Sequence, residues 1–438
     1  MRTIYIIIAG ILTSFYLFPF EFAFLPGVNT KMAMAGASLV ILLFRKATGR
    51  ESAIDKNFLV LSIIAMVFSL QCLTAVVVNG TSDYTYTTFI VSMWVWLGGA
   101  YTLTSYLRKI HGSLSVKVVF NYLITVCVFQ CIMALVIDAV PEVRDWVNST
   151  IQGFDFVELD RLGGSERLYG IGAALDVAGI RFSVALIVIT YMVMNLDYTV
   201  YEKYLPLYII AFLTVALVGN MIARTTTVGL VLSIFLWIFY AIKDSGRDKN
   251  GKRVSWVILI LVVGIINIVH KYNVDSHFRD QVTFAFEGFF SLAETGTWDV
   301  SSNNNLKNMI VFPETLKTWL IGDGYIENPR ATDPYYVGPY YRGYYMGTDI
   351  GYLRIIFYAG IFALFAFIFF FYKTAGFCVQ KFPEYKTVFW LILLVNYIVW
   401  LKVATDVFVI FALFLCISAE ENAEADKMLY IDQEVSEE

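Results

Sequence analysis

Long apolar runs separated by short polar connections repeat along the chain. A run of about 20 apolar residues is the length that carries a helix across a bilayer. On that pattern twelve spans are expected, at 3–24, 30–44, 58–79, 88–107, 118–140, 179–196, 205–222, 226–242, 254–270, 350–372, 387–402 and 404–418. The second and the last are short for a crossing. Two connections are long, 141–178 and 271–349. Structureless loops of that size are uncommon, and long ordered ones tend to carry function. In the second, Phe278, Val282, Phe286 and Phe289 recur at three- and four-residue steps, which predicts an amphipathic helix lying on the membrane surface. The stretch "NNNLKNMIVFPETLKTWLIGDGY" predicts a second helix, with Gly322-Asp323-Gly324 as a tight turn after it.

Composition sharpens this to a class. The chain is 58% hydrophobic and 16% charged, where a soluble domain has about 25% charged residues. The expected fold is an all-α polytopic membrane protein of about 12 transmembrane helices. It forms a single membrane domain, 1–438, with a large outer loop between spans 9 and 10 that contains short helices. The first apolar run is longer than a signal core and lacks a small-residue cleavage site, so it is read as a span. The formal net charge is −4, much of it in an acidic end, 419–438, read as a solvated cytoplasmic tail. No basic patch points to nucleic acid.

Charge also orients the spans. With the N-terminus inside, the basic connections "RKATGRESAIDK", "RKIHGSLSVK", "KDSGRDKNGKR" and "KTAGFCVQKFPEYK" all fall on one side. That is the positive-inside pattern, with both termini cytoplasmic and the two long loops outside. The five cysteines fall in spans or on the inner side, so no structural disulfide is expected. Cys127 and Cys131 share a helix face without a further ligand and read as small core residues. The three histidines have no ligand spacing, and no metal site is expected.

Against this background the outer face carries unusual cations. Arg354 lies about one turn inside the tenth span, shortly after Asp349, in "GTDIGYLRIIFYAG". Arg224 sits in the minimal outer turn "GNMIARTTTVGL", and Arg181 opens the sixth span. Arg161 and Arg167 precede it in "DRLGGSERLYGIG". Each alone reads equally as a headgroup contact or a helix-end pair. Together they suit an anion, because a guanidinium stays charged and donates paired hydrogen bonds to phosphate oxygens. The loop before the tenth span adds "DPYYVGPYYRGYYMGTD", with Tyr341, Arg342, Tyr344 and Tyr345. It reads either as an interfacial aromatic belt or as a platform for sugar rings.

In order along the chain, these stretches resemble the polytopic O-antigen and capsule repeat-unit polymerases (Wzy-type), kin to the O-antigen ligases. "ERLYGIGAALDVAGIRFSVAL" is similar to the family's Arg-x-x-Gly stretch before a span, and "ARTTTVGLVLSIFLW" to its Ser-Arg-Thr stretch. "TLKTWLIGDGYIENP" resembles the glycine turn late in the large outer loop, and "GTDIGYLRIIFYAGIFALFAFIFF" the final span entry. The Ser before Arg is Ala223 here. Where ligases carry His, this chain has Asp349, which favours polymerase.

The resemblance implies a metal- and cofactor-independent glycosyltransferase of the inner (cytoplasmic) membrane, acting at its outer face. It would join oligosaccharide repeat units carried on undecaprenyl pyrophosphate, both donor and acceptor being lipid-linked. Arg224 and Asp349 would be catalytic, Asp349 as base. Arg161, Arg167, Arg181, Arg354, Arg342, Tyr341, Tyr344 and Tyr345 would bind substrate, with the bilayer and a chain-length regulator as partners. Ligase-type transfer to another acceptor and a lipid-linked oligosaccharide flippase are the alternatives.

Overall fold

The structure, a computed structural model, describes residues 2–49, 56–152, 167–195, 204–243, 266, 268–341 and 343–425. In chain order its elements are α1 (Arg2–Leu17), β1 (Glu21–Phe22), α2 (Thr30–Ala47), α3 (Lys56–Asn79), α4 (Phe89–His111) and α5 (Val116–Ala139). Then come α6 (Pro141–Thr150), β2 (Ile151–Gln152), α7 (Leu175–Met194), α8 (Leu205–Ile222) and α9 (Thr226–Lys243). The second long connection holds α10 (Ser276–Ala285), α11 (Glu287–Thr295), α12 (Ser301–Asn308), α13 (Leu316–Leu320) and α14 (Pro329–Thr332). The last are α15 (Gly351–Lys381), α16 (Lys386–Val399) and α17 (Phe408–Leu415). The protein is thus helical, with one two-residue antiparallel pairing, β1 with β2, among the described residues. Five helices, α3, α5, α7, α8 and α15, are long and apolar enough to cross a membrane.

Several expected boundaries shift for local reasons. The run 3–24 ends as a helix at Leu17, because the residue before Pro19 is driven out of helical geometry. The run 404–418 contains an eight-residue helix, α17, about 12 Å long and too short to cross alone. The run 254–270 lies outside the described residues except 266 and 268–270. The expected amphipathic helix over 278–289 is two helices, α10 and α11, broken at Phe286. The expected helix before Gly322 is also two, since Pro313 interrupts it and Thr315 caps a new start through the Thr318 N–H at 3.1 Å. Within the expected tail, Ala419, Glu420, Ala423 and Glu424 are exposed, while Asn422 and Ala425 are buried. Residues 419–425 are helical, Glu421 pairs with Arg108 at 2.7 Å, and Asn422 accepts the Val116 N–H. Residues 426–438 lie outside the described residues.

The chain divides into two compact units. Unit 1 is Met1–Ala33, Leu103–Trp298 and Ile417–Glu438. Its centre is α7, where every residue from Ala178 to Val193 is buried against α8, α9 and α5. A helix apolar on all sides needs such a surround. Close packing comes from Gly229: a Cβ there would lie 2.2 Å from the Ser183 Cα, so only glycine lets α9 meet α7. Cys127 and Cys131 are buried in this unit as free thiols.

Unit 2 is Met34–Thr102 and Asp299–Cys416, built on α15 packed against α3. Its core is aromatic: Phe367 stacks on Phe68 at 4.7 Å and on Trp400 at 4.9 Å. Helix α15 is broken at Gly360, where φ is 80°. A break in an apolar helix exposes carbonyls that must be satisfied within the protein. The glycine turn does this: Asp323 N–H donates to Phe357 O at 2.6 Å and Gly324 N–H to Tyr358 O at 3.0 Å. Gln71 Nε2 donates to Ala359 O at 3.3 Å.

Candidate functional site

Unit 1 brings Arg167 and Arg224, far apart in sequence, onto one ring, that of Phe284. The turn between α8 and α9 presents Arg224. It is seated by Gly179, whose missing Cβ leaves room for Ala223 and Thr225, and by Thr225, which donates to Asp176 Oδ1 and whose carbonyl accepts from Ser183 Oγ at 2.9 Å. The Arg224 guanidinium lies on the Phe284 ring at 3.9 Å to its centre. Its Nε donates to Phe284 O at 2.9 Å, and Nη1 pairs with Glu287 at 2.6 Å. The α10–α11 break thus places a carbonyl and a carboxylate where one cation takes both.

The same ring takes a second cation. Arg167 lies 4.9 Å from the centre of Phe284, and its Nε is buried without a hydrogen bond. Burial pushes both guanidiniums below their ordinary pKa. Asp176 opposes this for Arg167, while for Arg224 Glu287 opposes it and Arg167 adds to it. Arg181, on α7 and 4% exposed, donates to Val177 O and lies 5.6 Å from the Phe18 ring centre. At the start of α7 the cap residue Ala174 offers no side-chain acceptor, and Leu175 has φ 49°. Arg161 and Arg342, both expected to bind substrate, lie outside the described residues.

Two like charges on one ring are costly. The two cations sit within about 9 Å of each other, which at an effective dielectric of 20 is a repulsion of about 2 kcal/mol. Glu287, 2.6 Å from Arg224, and Asp176 supply counter-charge to the pair. An anion between the guanidiniums gains charge-assisted hydrogen bonds from both.

In unit 2 the arrangement differs. Arg354, 7% exposed, stacks on Tyr344 at 3.4 Å, and its Nη2 faces Glu327 at 3.5 Å. The carboxylate on Arg354 is therefore Glu327 rather than Asp349. Glu327 is placed by Asp83, 3% exposed, whose Oδ2 accepts the Ile326 and Glu327 N–H groups at 2.8 and 3.1 Å. Asp349 is half-buried just before α15. Tyr345 packs edge-on against Tyr341 and Phe357 and donates to Asp323 at 3.2 Å. Burial, then Asp323, pushes its phenol pKa up. Tyr335 and Tyr340 are 90% and 66% exposed, with Arg330 over the Tyr340 ring at 5.9 Å to its centre.

Sequence reasoning missed Phe284, Glu287, Asp176, Asp83 and Glu327, none of which stands out by spacing. It also passed over Asp138, in the last turn of α5. That carboxylate meets His277 Nε2 at 3.0 Å, Gln281 Nε2 at 3.1 Å and Arg144 at 3.7 Å. An acid in the last turn of a helix opposes the macrodipole, a signal that it has partners. Among the described residues no group of three or more His, Cys, Asp or Glu is arranged to hold a metal. No family model, curated protein or solved structure matches this chain.

Proposed function

We propose that this chain is a membrane glycosyltransferase that polymerises oligosaccharide repeat units carried on a polyprenyl diphosphate. The carrying observation is the pair of part-buried guanidiniums, Arg167 and Arg224, on the single ring of Phe284. Such a pair suits a diphosphate, whose two phosphate groups match two planar donors. Arg181, one turn inside α7 and close to Asp176 in sequence, adds positive charge to the same unit. In the reaction an acceptor hydroxyl attacks the anomeric carbon of the donor glycan. The bond from that carbon to the diphosphate breaks, and its electron pair leaves with the phosphate. Positive charge fixed at the leaving group stabilises the transition state more than the ground state.

The proposal includes twelve spans in the cytoplasmic membrane, termini inside, with the long loops and the reaction outside. Three pairings support the assignment of sides. Arg108 and the C-terminal Glu421, both assigned inside, are bonded to each other. Asp138 and His277, both assigned outside, are bonded, and so are Asp83 and the outer-loop Ile326.

The test is reconstitution of the full-length protein in vesicles with undecaprenyl-diphosphate-linked repeat units and no nucleotide sugar. Lengthening of the glycan is expected, and its loss in Arg224→Ala at equal protein amount. Translocation of the lipid-linked unit without lengthening would replace this reading with a flippase.

A further inference from the structure

The transfer needs a group to take the proton from the attacking hydroxyl, and none of the arginines can. Among the described residues of unit 1, a partly exposed imidazole is paired with a carboxylate, His277 with Asp138. We propose that this pair is the proton acceptor, an inference that rests on the polymerase reading above.

Placement carries the argument. His277, Gln281 and Phe284 follow at i, i+4 and i+7 on α10, so they line one stripe of the helix. One end of the stripe is the ring that holds Arg167 and Arg224. His277 lies seven residues away, about 10 Å along the axis. That interval accommodates a phosphate, the anomeric carbon beyond it, and the acceptor oxygen within hydrogen-bond reach of the imidazole. The side chain is 45% exposed, so an acceptor reaches it.

The chemistry fits the contacts. Gln281 Nε2 lies 2.9 Å from His277 Nε2 and 3.1 Å from Asp138 Oδ2, closing a triangle. With the Nε2 proton on His277, both side chains donate to Asp138 Oδ2, and the two nitrogens are neighbouring donors rather than a hydrogen-bonded pair. The lone pair of the neutral ring is then on Nδ1, and Asp138 stabilises the imidazolium once formed. As the acceptor oxygen bonds to the anomeric carbon, its proton passes to Nδ1, while the departing electron pair stays with the diphosphate. The carboxylate itself is held by Gln281, which is 4% exposed, and by Arg144. The charged groups near the imidazole are Asp138 and Arg144, with Arg279 and Asp280 on its own helix and Asp275 capping that helix; Glu287 belongs to α11, and α8 brings none. A plainer role, a clamp holding α10 to the end of α5, uses the same bonds, and the experiment separates the two.

The reconstituted full-length protein is assayed as wild type, His277→Gln, His277→Ala and Asp349→Asn. Initial lengthening rates are taken across pH, and binding of undecaprenyl diphosphate alone is measured in the same vesicles. His277→Gln is expected to lose at least about 100-fold in rate while binding the lipid diphosphate like wild type. The acid limb of the pH profile should vanish in it and persist in Asp349→Asn. Added imidazole should restore part of the rate of His277→Ala, which a clamp cannot explain. A His277→Gln rate close to wild type overturns the proposal. So does a loss of rate matched by a loss of lipid binding without imidazole rescue. A wild-type protein that lengthens nothing overturns the polymerase reading itself, a result distinct from either.

Discussion

The arginines of unit 1 and the arginine of unit 2 look alike in sequence, each a cation beside an apolar run, yet the structure gives them different company. Arg354 has a ring and a carboxylate to itself, Tyr344 and Glu327, and Glu327 is fixed in turn by Asp83. Arg224 has Glu287 as counter-charge but shares Phe284 with Arg167. A lone cation with its own counter-charge is a fixture of its helix end. Two cations on one ring repel each other, and an anionic ligand between them meets both. The lesson is that depth beside a membrane span does not mark a site; a second cation on the same ring does.

The comparison can be broken at its scaffold first. Unit 2 depends on the α15 break, where a Cβ at Gly360 would lie 2.3 Å from Leu320 O and φ is 80°. Gly360→Val is expected to abolish stable insertion, since backbone strain and a clash with main chain act together. Protein amount in the membrane and thermal unfolding in detergent check this. Gly296→Ala, at φ 71° but in open space, is the control and should cost only about 1–2 kcal/mol. Next in size is Arg224→Ala, expected to lose about 100- to 1,000-fold in lengthening rate at normal protein amount. If Arg354 is a fixture, Arg354→Met behaves oppositely: about 1–2 kcal/mol of stability goes with the stacking, and the rate per folded molecule changes little. Equal rate losses at normal stability in both variants would erase the distinction.

Much of the fold was legible because apolar length is written directly in the sequence. The spans at α3, α5, α7, α8 and α15 coincide with helices to within a few residues, apart from the C-terminal end of α15. What failed were breaks inside helical patterns. Phe286 keeps the three- and four-residue period and still ends α10, and Arg224, from another part of the chain, takes the Phe284 carbonyl in that last turn. Gly360 was visible as a residue, but its consequence needed the 322–324 turn to be docked beside it. Of the candidate site, the cations were readable from their improbability next to apolar runs. Their anionic and aromatic partners were not, since Glu287, Asp176 and Phe284 are ordinary residues made special by folding. Asp138 was the exception, an acid at the end of a long apolar run that could have been asked for its partner.

The smallest effect is also the most discriminating. Glu287 stands 2.6 Å from Arg224 and Glu327 3.5 Å from Arg354, so each carboxylate neutralises one arginine. If the Arg167–Arg224 pair is an anion site, Glu287 competes with the ligand for it. Glu287→Gln keeps a hydrogen-bonding side chain and removes the competitor, and should tighten binding of undecaprenyl diphosphate by about threefold at low salt. The gain should shrink as ionic strength rises, because Glu287 is 30% exposed and its charge is screened. Glu327→Gln should leave that affinity unchanged at any salt. If Glu287 instead only orients Arg224, its replacement weakens binding, and if both variants tighten it alike, the two arginines are doing the same job and the contrast between the units is lost.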